Sequence, residues 1–548
     1  MARIRGGARE HPAALLAGAA IVTSGVLLLH WLGRLTFWRD EWDFLLHRRS
    51  WSVGTFLDPF VEHLVAASIL IYKVGISAFG MDSARPFQLV SVALFLLSVA
   101  LLFVYVSRRV GEWLALAAIL PILFLGPSWD DLLFPFQMAL FGSIACGIGA
   151  LIAIERRDRT WDLVAMGLLI ASLLFSDLGI PFVAGVTVQL AFDRDRWHRA
   201  VVVAVPTALW LLWYAGWGHN AETFISAANL AHAPSYIFSG LGTSLAVWAG
   251  LSSTPYNSDA LEWGRPLLIV VIGLAAWRLY VLRRPSPRVL GTAVILLGFW
   301  SLTALNTNPF APATAGRYQY IGIVLLALLA AELAAGLRVR RYVMVALVLA
   351  GAAAAMVNFV RLQDAAHGLA GIAERERGGL AALELTRGRV DPGFILTRAN
   401  SDVDYLEILD AGSYFSAVDA YGSPAYTPAE LASASESARV AADRVFASAL
   451  GVGLRPGPEG RPGTCAELRP GVGPAIVQLP PEGVVLRAGL PGSRLSLRRY
   501  ATSFPVSLGT LPPGRSEVLS IPPDRSARPW TLRIDGGGPV LACRAALR

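Results

Sequence analysis

The sequence predicts a polytopic α-helical membrane protein followed by an α/β domain in water, and three observations predict it. Of its 548 residues, 55% are hydrophobic, a share that soluble domains rarely reach. Aliphatic runs long enough to cross a bilayer recur from residue 12 to residue 359 and then stop. Residues 361–548 are rich in Pro, Gly and Arg and contain no spanning run, which marks a change of solvent. The expected domains are therefore a transmembrane domain, 1–360, and a C-terminal domain, 361–548.

About eleven spans are expected: 12–33, 86–107, 113–127, 134–154, 161–176, 178–192, 199–217, 266–282, 289–305, 318–336 and 341–359. The first follows a basic leader (Arg3, Arg5, Arg9) and ends in His30-Trp31 without a small-residue cleavage site, so it reads as a retained helix. With the N-terminus in the cytoplasm, Arg108-Arg109, Arg156-Arg157-Arg159, Arg194-Arg196-Arg199, Arg283-Arg284-Arg288 and Arg338-Arg340-Arg341 all fall on the cytoplasmic side. The intervening connections are poor in Arg, and this alternation orients helices in a plasma membrane. It puts the C-terminal domain outside the cell. Two apolar stretches, 62–80 and 236–252, break the alternation if counted as spans, so they are expected to lie in the outer interface or to re-enter.

The net charge of +8 comes from these loop arginines, and no nucleic-acid partner is expected. Lys73 is the one lysine, a bias that points to a high-GC bacterium. Cys146 reads as a packing residue inside a span. Cys465 and Cys543 share the C-terminal domain, where topology predicts an oxidising space; they pair as a disulfide or stay as two thiols.

In the C-terminal domain, 361–390 reads as a helical stalk and Phe394-Ile395-Leu396-Thr397 as a strand. Residues 428–450 carry a helical pattern with Pro near its start. Short alternating runs at Ala475–Leu479, Gly483–Leu486, Arg515–Ile521, Trp530–Ile534 and Val540–Cys543 predict a small β-sandwich. Such a module is either a ligand-binding module or a stabilising cap.

The connection after the first span is acidic and aromatic: Phe37-Trp38-Arg39-Asp40-Glu41-Trp42-Asp43-Phe44, with Glu62-His63 beyond it. Carboxylates beside a bilayer-spanning helix are costly and are usually kept for chemistry or ion binding. The order that follows is an amphipathic segment Glu62-His63…Tyr72-Lys73…Phe79-Gly80, then Ser83-Ala84-Arg85-Pro86 opening a span that ends in Ser107-Arg108-Arg109-Val110-Gly111. Over about the first 155 residues this resembles the GT-C membrane glycosyltransferases, in particular the protein-mannosyltransferase and aminoarabinose-transferase branch. The resemblance implies transfer of a sugar from a polyprenyl-phosphate carrier to an acceptor hydroxyl on a glycan, lipid or protein, at the outer face of the membrane. It carries the first-loop acid onto Asp40 or Glu41. The chain departs from that branch at Trp129-Asp130-Asp131, where a basic loop is common, and at Glu62-His63-Leu64.

Transfer to a hydroxyl needs a base, a group to neutralise the departing phosphate, and exclusion of water. Asp40 is the expected base, with Glu41 its rival. Asp43 shares a face with Asp40 if the loop is helical. Arg317, in Gly316-Arg317-Tyr318-Gln319-Tyr320, sits at the outer mouth of a span and offers a planar fork to a phosphate, or else snorkels as an interface anchor. Tyr318 and Tyr320 are placed to contact carrier or sugar, and Arg85 is a second choice for the phosphate. Asp40, Asp131, Asp130 and His63 are candidates to hold a divalent Mg²⁺, Mn²⁺ or Ca²⁺ ion. The alternative functions are a transporter or flippase for a lipid-linked sugar and a non-catalytic scaffold that binds one. No phosphate-binding loop of the nucleotide-pump kind is present.

Overall fold

A computed structural model describes residues 11–193, 195–252, 257, 259–398, 409–457, 465–470, 473–481, 483–490, 492–536 and 538–544. The basic leader Arg3, Arg5 and Arg9 and the topology marker Arg194 lie outside the described residues. The chain divides into two compact units that are not consecutive in sequence. The first is Met1–Gly33, Arg49–Gly75 and Arg85–His367; the second is Arg34–Arg48, Ile76–Ala84 and Gly368–Arg548.

The first unit is helical. Among the described residues, eight helices are long and apolar enough to cross a membrane: Pro12–Leu32, Arg85–Val110, Pro135–Arg156, Arg196–Gly216, Ala260–Leu282, Pro287–Leu305, Gly316–Ala334 and the front of Arg341–Leu385. Glu112–Leu123 and Gly126–Leu132 make a ninth if counted together, bent by 51°. The other two expected spans are shorter helices, Arg159–Phe175 and Gly179–Ala191, of 17 and 13 residues. Their break is at Ser176, an extended residue whose backbone leaves the helix. The stretches at 62–80 and 236–252 fold into Ala66–Phe79, only 14 residues long, and Ala227–Trp248, which is not apolar enough to qualify.

Packing follows the logic of a lipid solvent, in which small residues let backbones approach and aliphatic side chains face outward. Helix Pro12–Leu32 buries Ala13, Ala17, Ser24 and Gly25 and exposes Leu15, Leu16, Val22 and Val26. Helices Ala227–Trp248 and Ala260–Leu282 touch backbone to backbone at Gly242 and Gly264. A Cβ on Gly264 would lie 2.3 Å from the Gly242 carbonyl oxygen.

Charges in this unit are paired at the helix ends. Arg109 Nε donates to Glu332 at 2.7 Å, as does the Tyr105 hydroxyl at 2.6 Å, and Arg109 also pairs with Glu155. Arg199 forks onto Asp162 and reaches Asp193 at 2.6 Å. Two arginines read as orientation markers thus also clamp neighbouring helices through nearly buried ion pairs.

The second unit collects the acidic loop, the end of Arg341–Leu385 and two antiparallel sheets. Helix Arg39–Leu46 carries the loop's carboxylates. Its Trp42 indole donates to Glu376 at 2.8 Å and meets Tyr414 edge-on at 5.9 Å. The expected strand at 394–397 is instead a single bridge, Ile395 with Asp410, running into a 3-10 turn, Leu396–Arg398. The expected helix at 428–450 breaks into Pro428–Ser433 and Glu436–Ala449, because Thr427 and Ser435 each cap a new N-terminus.

Nine strands follow: β1 (Gly453–Pro456), β2 (Cys465–Leu468), β3 (Ala475–Gln478), β4 (Val484–Ala488), β5 (Ser493–Arg498), β6 (Val506–Leu511), β7 (Ser516–Ser520), β8 (Thr531–Asp535) and β9 (Val540–Arg544). They order as β1-β7-β4-β9-β2 and β3-β8-β5-β6. One sheet buries Val484, Leu486 and Leu519, the other Leu495, Leu497, Leu532 and Ile534, the pattern of a sandwich. Cys465 and Cys543 stand opposite each other on β2 and β9 and are disulfide-bonded. Closing 78 residues of chain contributes roughly 4 kcal/mol on the chain-entropy model.

Helix Glu436–Ala449 is tied to the sheets by two carboxylates. Buried Asp443 accepts from the backbone N–H groups of Arg499, Tyr500 and Ala501 at 2.7, 2.8 and 3.0 Å. Asp443→Ala strands three buried donors at once, and should lower the unfolding free energy of this unit by about 3–5 kcal/mol, read from its urea midpoint. Glu436 accepts from Thr502 and Ser503, and although its partial burial acts the other way, these hydrogen bonds pull its carboxyl down to about 2. A depressed carboxyl stabilises the fold above its unfolded value of 4.5 and loses that contribution as pH falls toward 2. Thermal midpoints taken across this window should therefore drop more steeply in wild type than in Glu436→Gln.

Candidate functional site

The residues singled out in the sequence separate into two groups. Asp40, Glu41 and Asp43 belong to the second unit, and Glu62, His63, Asp130, Asp131, Arg317, Tyr318, Tyr320 and Arg85 to the first.

In the second unit, the loop is helical, which is the condition for Asp40 and Asp43 to share a face. Glu41 is fully buried, and its carboxylate accepts from the Trp38 backbone N–H at 2.8 Å, closing the helix's own N-terminus. Asp43 pairs with His47 and Arg48, both at 3.1 Å. Asp40 is half-buried on the first turn.

In the first unit, a cluster assembles from four places in the chain. Two of its members lie on the short helix Trp129–Leu132, which follows the bend after Leu123. This turn is pinned to the start of helix Gly316–Ala334: Ser128 Oγ donates to the Gly316 carbonyl at 2.9 Å, and Asn257 bridges the Pro127 and Thr314 carbonyls. Gly316 is required for that approach. A Cβ there would lie 2.4 Å from the Pro127 oxygen and 2.7 Å from Asp130 Oδ1.

Asp131 is fully buried, and neither carboxylate oxygen has a hydrogen-bond partner; Asp130 Oδ1 is likewise buried and unpartnered. Burying a carboxylate without compensation costs several kcal/mol, and native structures rarely tolerate it away from functional sites. The neighbouring cation is Arg317, whose charge acts on both aspartates. Its guanidinium lies 5.2 Å from the Tyr318 ring centroid and donates through Nη2 to the Phe310 carbonyl at 3.0 Å, while Nε is buried without a partner.

Glu62 and His63 arrive on a tight turn closed by reciprocal Phe60–His63 backbone hydrogen bonds of 2.9 Å. Val61 holds the left-handed region there, at φ +54°. A β-branched residue in that region is strained by about 1–3 kcal/mol, and such strain collects at functional sites. His63 Nε2 lies 3.4 Å from Glu62 and Nδ1 3.5 Å from Asp177. Burial pulls this imidazole's pKa down, but the contact with Asp177 and the charges of Glu62 and Asp177 outweigh both burial and Arg317, so it stands above 6.5.

Asp177 did not stand out as a site residue in the sequence, where it falls between the expected spans 161–176 and 178–192. Its one legible signal is a carboxylate in a connection assigned to the same side as Glu62 and Asp130. Arg85 and Tyr320 have packing partners instead: Arg85 donates to the Leu29 carbonyl at 2.9 Å, and Tyr320 is buried against Ser98, Phe95 and Phe141. Among the described residues no group of three or more His, Cys, Asp or Glu side chains is placed to hold a metal ion. The ion expected at Asp40 and Asp131 thus gains no ligand set, and no step below runs through one.

An unpartnered buried carboxylate kept for chemistry has a signature in stability. Asp131→Asn should raise the thermal midpoint of the detergent-solubilised protein or leave it unchanged, since it removes an uncompensated charge. A structural carboxylate would lower it.

No protein-family model matches the chain, and no curated protein matches it. Among solved structures, it is similar to the single-particle cryo-EM structure of arabinosyltransferase EmbB from Mycobacterium smegmatis, at 11% identity and a TM-score of 0.36. The match covers 96% of this chain and 64% of that one, so the chain spans less than two thirds of that protein's length. A superposition this loose carries no weight for fold or activity.

Proposed function

We propose that the chain is a membrane glycosyltransferase of the GT-C type, moving a sugar from a polyprenyl-phosphate carrier to an acceptor hydroxyl of a glycan, lipid or protein. The alternation of arginine-rich connections supports an N-terminus in the cytoplasm and chemistry at the outer face of the plasma membrane. The observation that carries the reading is Asp131, a buried carboxylate with both oxygens unpartnered, beside the partly unpartnered Arg317 at the start of an apolar helix. Together they supply the two things the reaction needs at the membrane surface: a base out of water and a fork for a phosphate.

In this scheme the ionised member of the Asp130–Asp131 pair takes the acceptor's hydroxyl proton. The acceptor oxygen attacks the anomeric carbon as its bond to the phosphate oxygen breaks, inverting that centre. Arg317 meets the charge that builds on the carrier phosphate. Asp40 is the rival base from the sequence resemblance, and Glu41, engaged in its own helix cap, is the weaker member of that pair.

The test is transfer in lipid nanodiscs, offering labelled polyprenyl-phosphate sugars and crude envelope glycan to wild type, Asp131→Asn, Asp40→Asn and Arg317→Lys. Asp131→Asn should lower kcat by about 100- to 10,000-fold with donor binding retained. Arg317→Lys, which keeps the charge and loses the fork, should weaken donor binding and kcat together. Loss in Asp40→Asn alone would move the base to the first loop. Donor binding without transfer in wild type would replace the enzyme with a scaffold or flippase.

A further inference from the structure

The transfer scheme leaves His63 and the two carboxylates around it without a task. His63 lies between two carboxylates, with Glu62 Oε1 3.4 Å from Nε2 and Asp177 Oδ2 3.5 Å from Nδ1. Asp177 is itself fixed, since its other oxygen accepts from the Trp210 indole N–H at 3.2 Å. The two imidazole nitrogens are not equivalent. Nδ1 is buried, while the side chain as a whole is 43% exposed, so the ring presents its remaining edge to whatever enters the cluster. The turn that delivers it is closed by two backbone hydrogen bonds and kept in a left-handed conformation at Val61. This is an imidazole with one carboxylate beside its buried nitrogen and a second beside Nε2, on a side chain exposed enough to exchange a proton with a ligand.

The chemistry of the leaving group asks for such a proton. A carrier phosphodiester bears one negative charge, and when the sugar departs the phosphate becomes a monoester with a second charge, whose own second pKa is about 6. Arg317 can meet part of that charge by position, but it cannot give up a proton.

Resting on the glycosyl-transfer reading, we propose that His63, oriented by Asp177, is the general acid that protonates the departing carrier phosphate. The balance is complete within the cluster. The acceptor O–H proton passes to the Asp130–Asp131 pair, the new bond forms from acceptor oxygen to anomeric carbon, and the sugar–phosphate C–O bond breaks with its electron pair going to the phosphate oxygen. That oxygen takes the proton from His63. Water then returns a proton from the aspartate pair to the neutral imidazole, and no oxidant, reductant or further reactant is needed. The groups facing His63 are Glu62 on its own turn, Asp177 from the connection between the two short helices, and Arg317 from helix Gly316–Ala334. The two carboxylates favour the imidazolium and Arg317 opposes it, with the balance on the side of the charged form.

The experiment compares two donors in full-length protein in nanodiscs. One is the polyprenyl-phosphate sugar that wild type uses; the other is the dinitrophenyl glycoside of the same sugar, whose leaving group departs as a stable anion and needs no acid. His63→Gln should lower kcat for the phosphate donor by about 100-fold while changing turnover of the aryl donor by less than about threefold. That retained turnover also shows the variant is folded. In wild type, kcat for the phosphate donor should fall as pH rises through the His63 pKa. Asp177→Asn should move this fall to lower pH, and His63→Gln should abolish it. An unchanged rate of the phosphate donor in His63→Gln, or equal losses with both donors, overturns the acid. A wild-type protein that transfers sugar from neither donor overturns the transfer reading itself, and the acid falls with it.

Discussion

The pairing of Glu332 with Arg109 and Tyr105 is the interaction on which the membrane unit's arrangement turns. In an apolar solvent a charge at a helix end must find a partner or drag the end into water. Glu332 finds two on helix Arg85–Val110, and Arg109 reaches on to Glu155, so three helices share one ion-pair network. Helix Gly316–Ala334 is thereby fixed in register at its C-terminal end. Fifteen residues back along the same helix, about 22 Å at 1.5 Å per residue, lies Arg317. The position of the candidate phosphate fork is thus set from the opposite end of the bundle.

Asp131 differs from these compensated charges. Arg199 is satisfied by two aspartates, Arg499 by Asp524 at 2.6 Å, and Asp443 by three backbone donors. Arg361, Arg375 and Arg439 also each keep one buried nitrogen unpartnered, but Asp131 is a fully buried carboxylate with both oxygens bare, near an arginine with a bare Nε. A desolvated base is a stronger base, and a guanidinium with an unused donor is ready for an anion. Both properties weaken the resting fold and are useful only when a substrate arrives.

Much of this was legible in the sequence, and the parts that were not share a cause. Aliphatic runs and arginine spacing are local, so the helices of the membrane unit, the alternating strands β3, β7, β8 and β9 and the carboxylates of the connections could be read directly. Asp177 could be seen but not valued, because its meaning lies in His63, more than a hundred residues earlier. Trp42 packs on Glu376 and Tyr414 within the second unit, which no local pattern in the acidic loop announces. Phe394–Thr397 has strand propensity and little else; with one bridge to Asp410 available, it turns instead. Asp40 and Glu41 came ahead of Asp131 because the resemblance carries the first-loop acid onto them. Glu41 proves to be a capping residue, a role that needs the same residue type at the same spacing.

The cluster's charge balance explains why its members must differ in protonation. Among the described residues of the cluster, Glu62, Asp130, Asp131 and Asp177 face Arg317 and His63, so a fully ionised site would repel the phosphate that the proposed reaction brings to it. In the proposed scheme the two adjacent buried aspartates relieve this by sharing a proton, as like charges at close range do. In the proposed scheme His63 relieves it further, since its two carboxylates favour the imidazolium. One proton on the aspartate pair leaves a base, and one proton on the histidine leaves an acid. The contrast comes from environment alone: Asp131 has no partner, while His63 has two carboxylates. Separating the protonation of neighbouring groups in this way is how a single pocket serves both halves of a displacement at one pH.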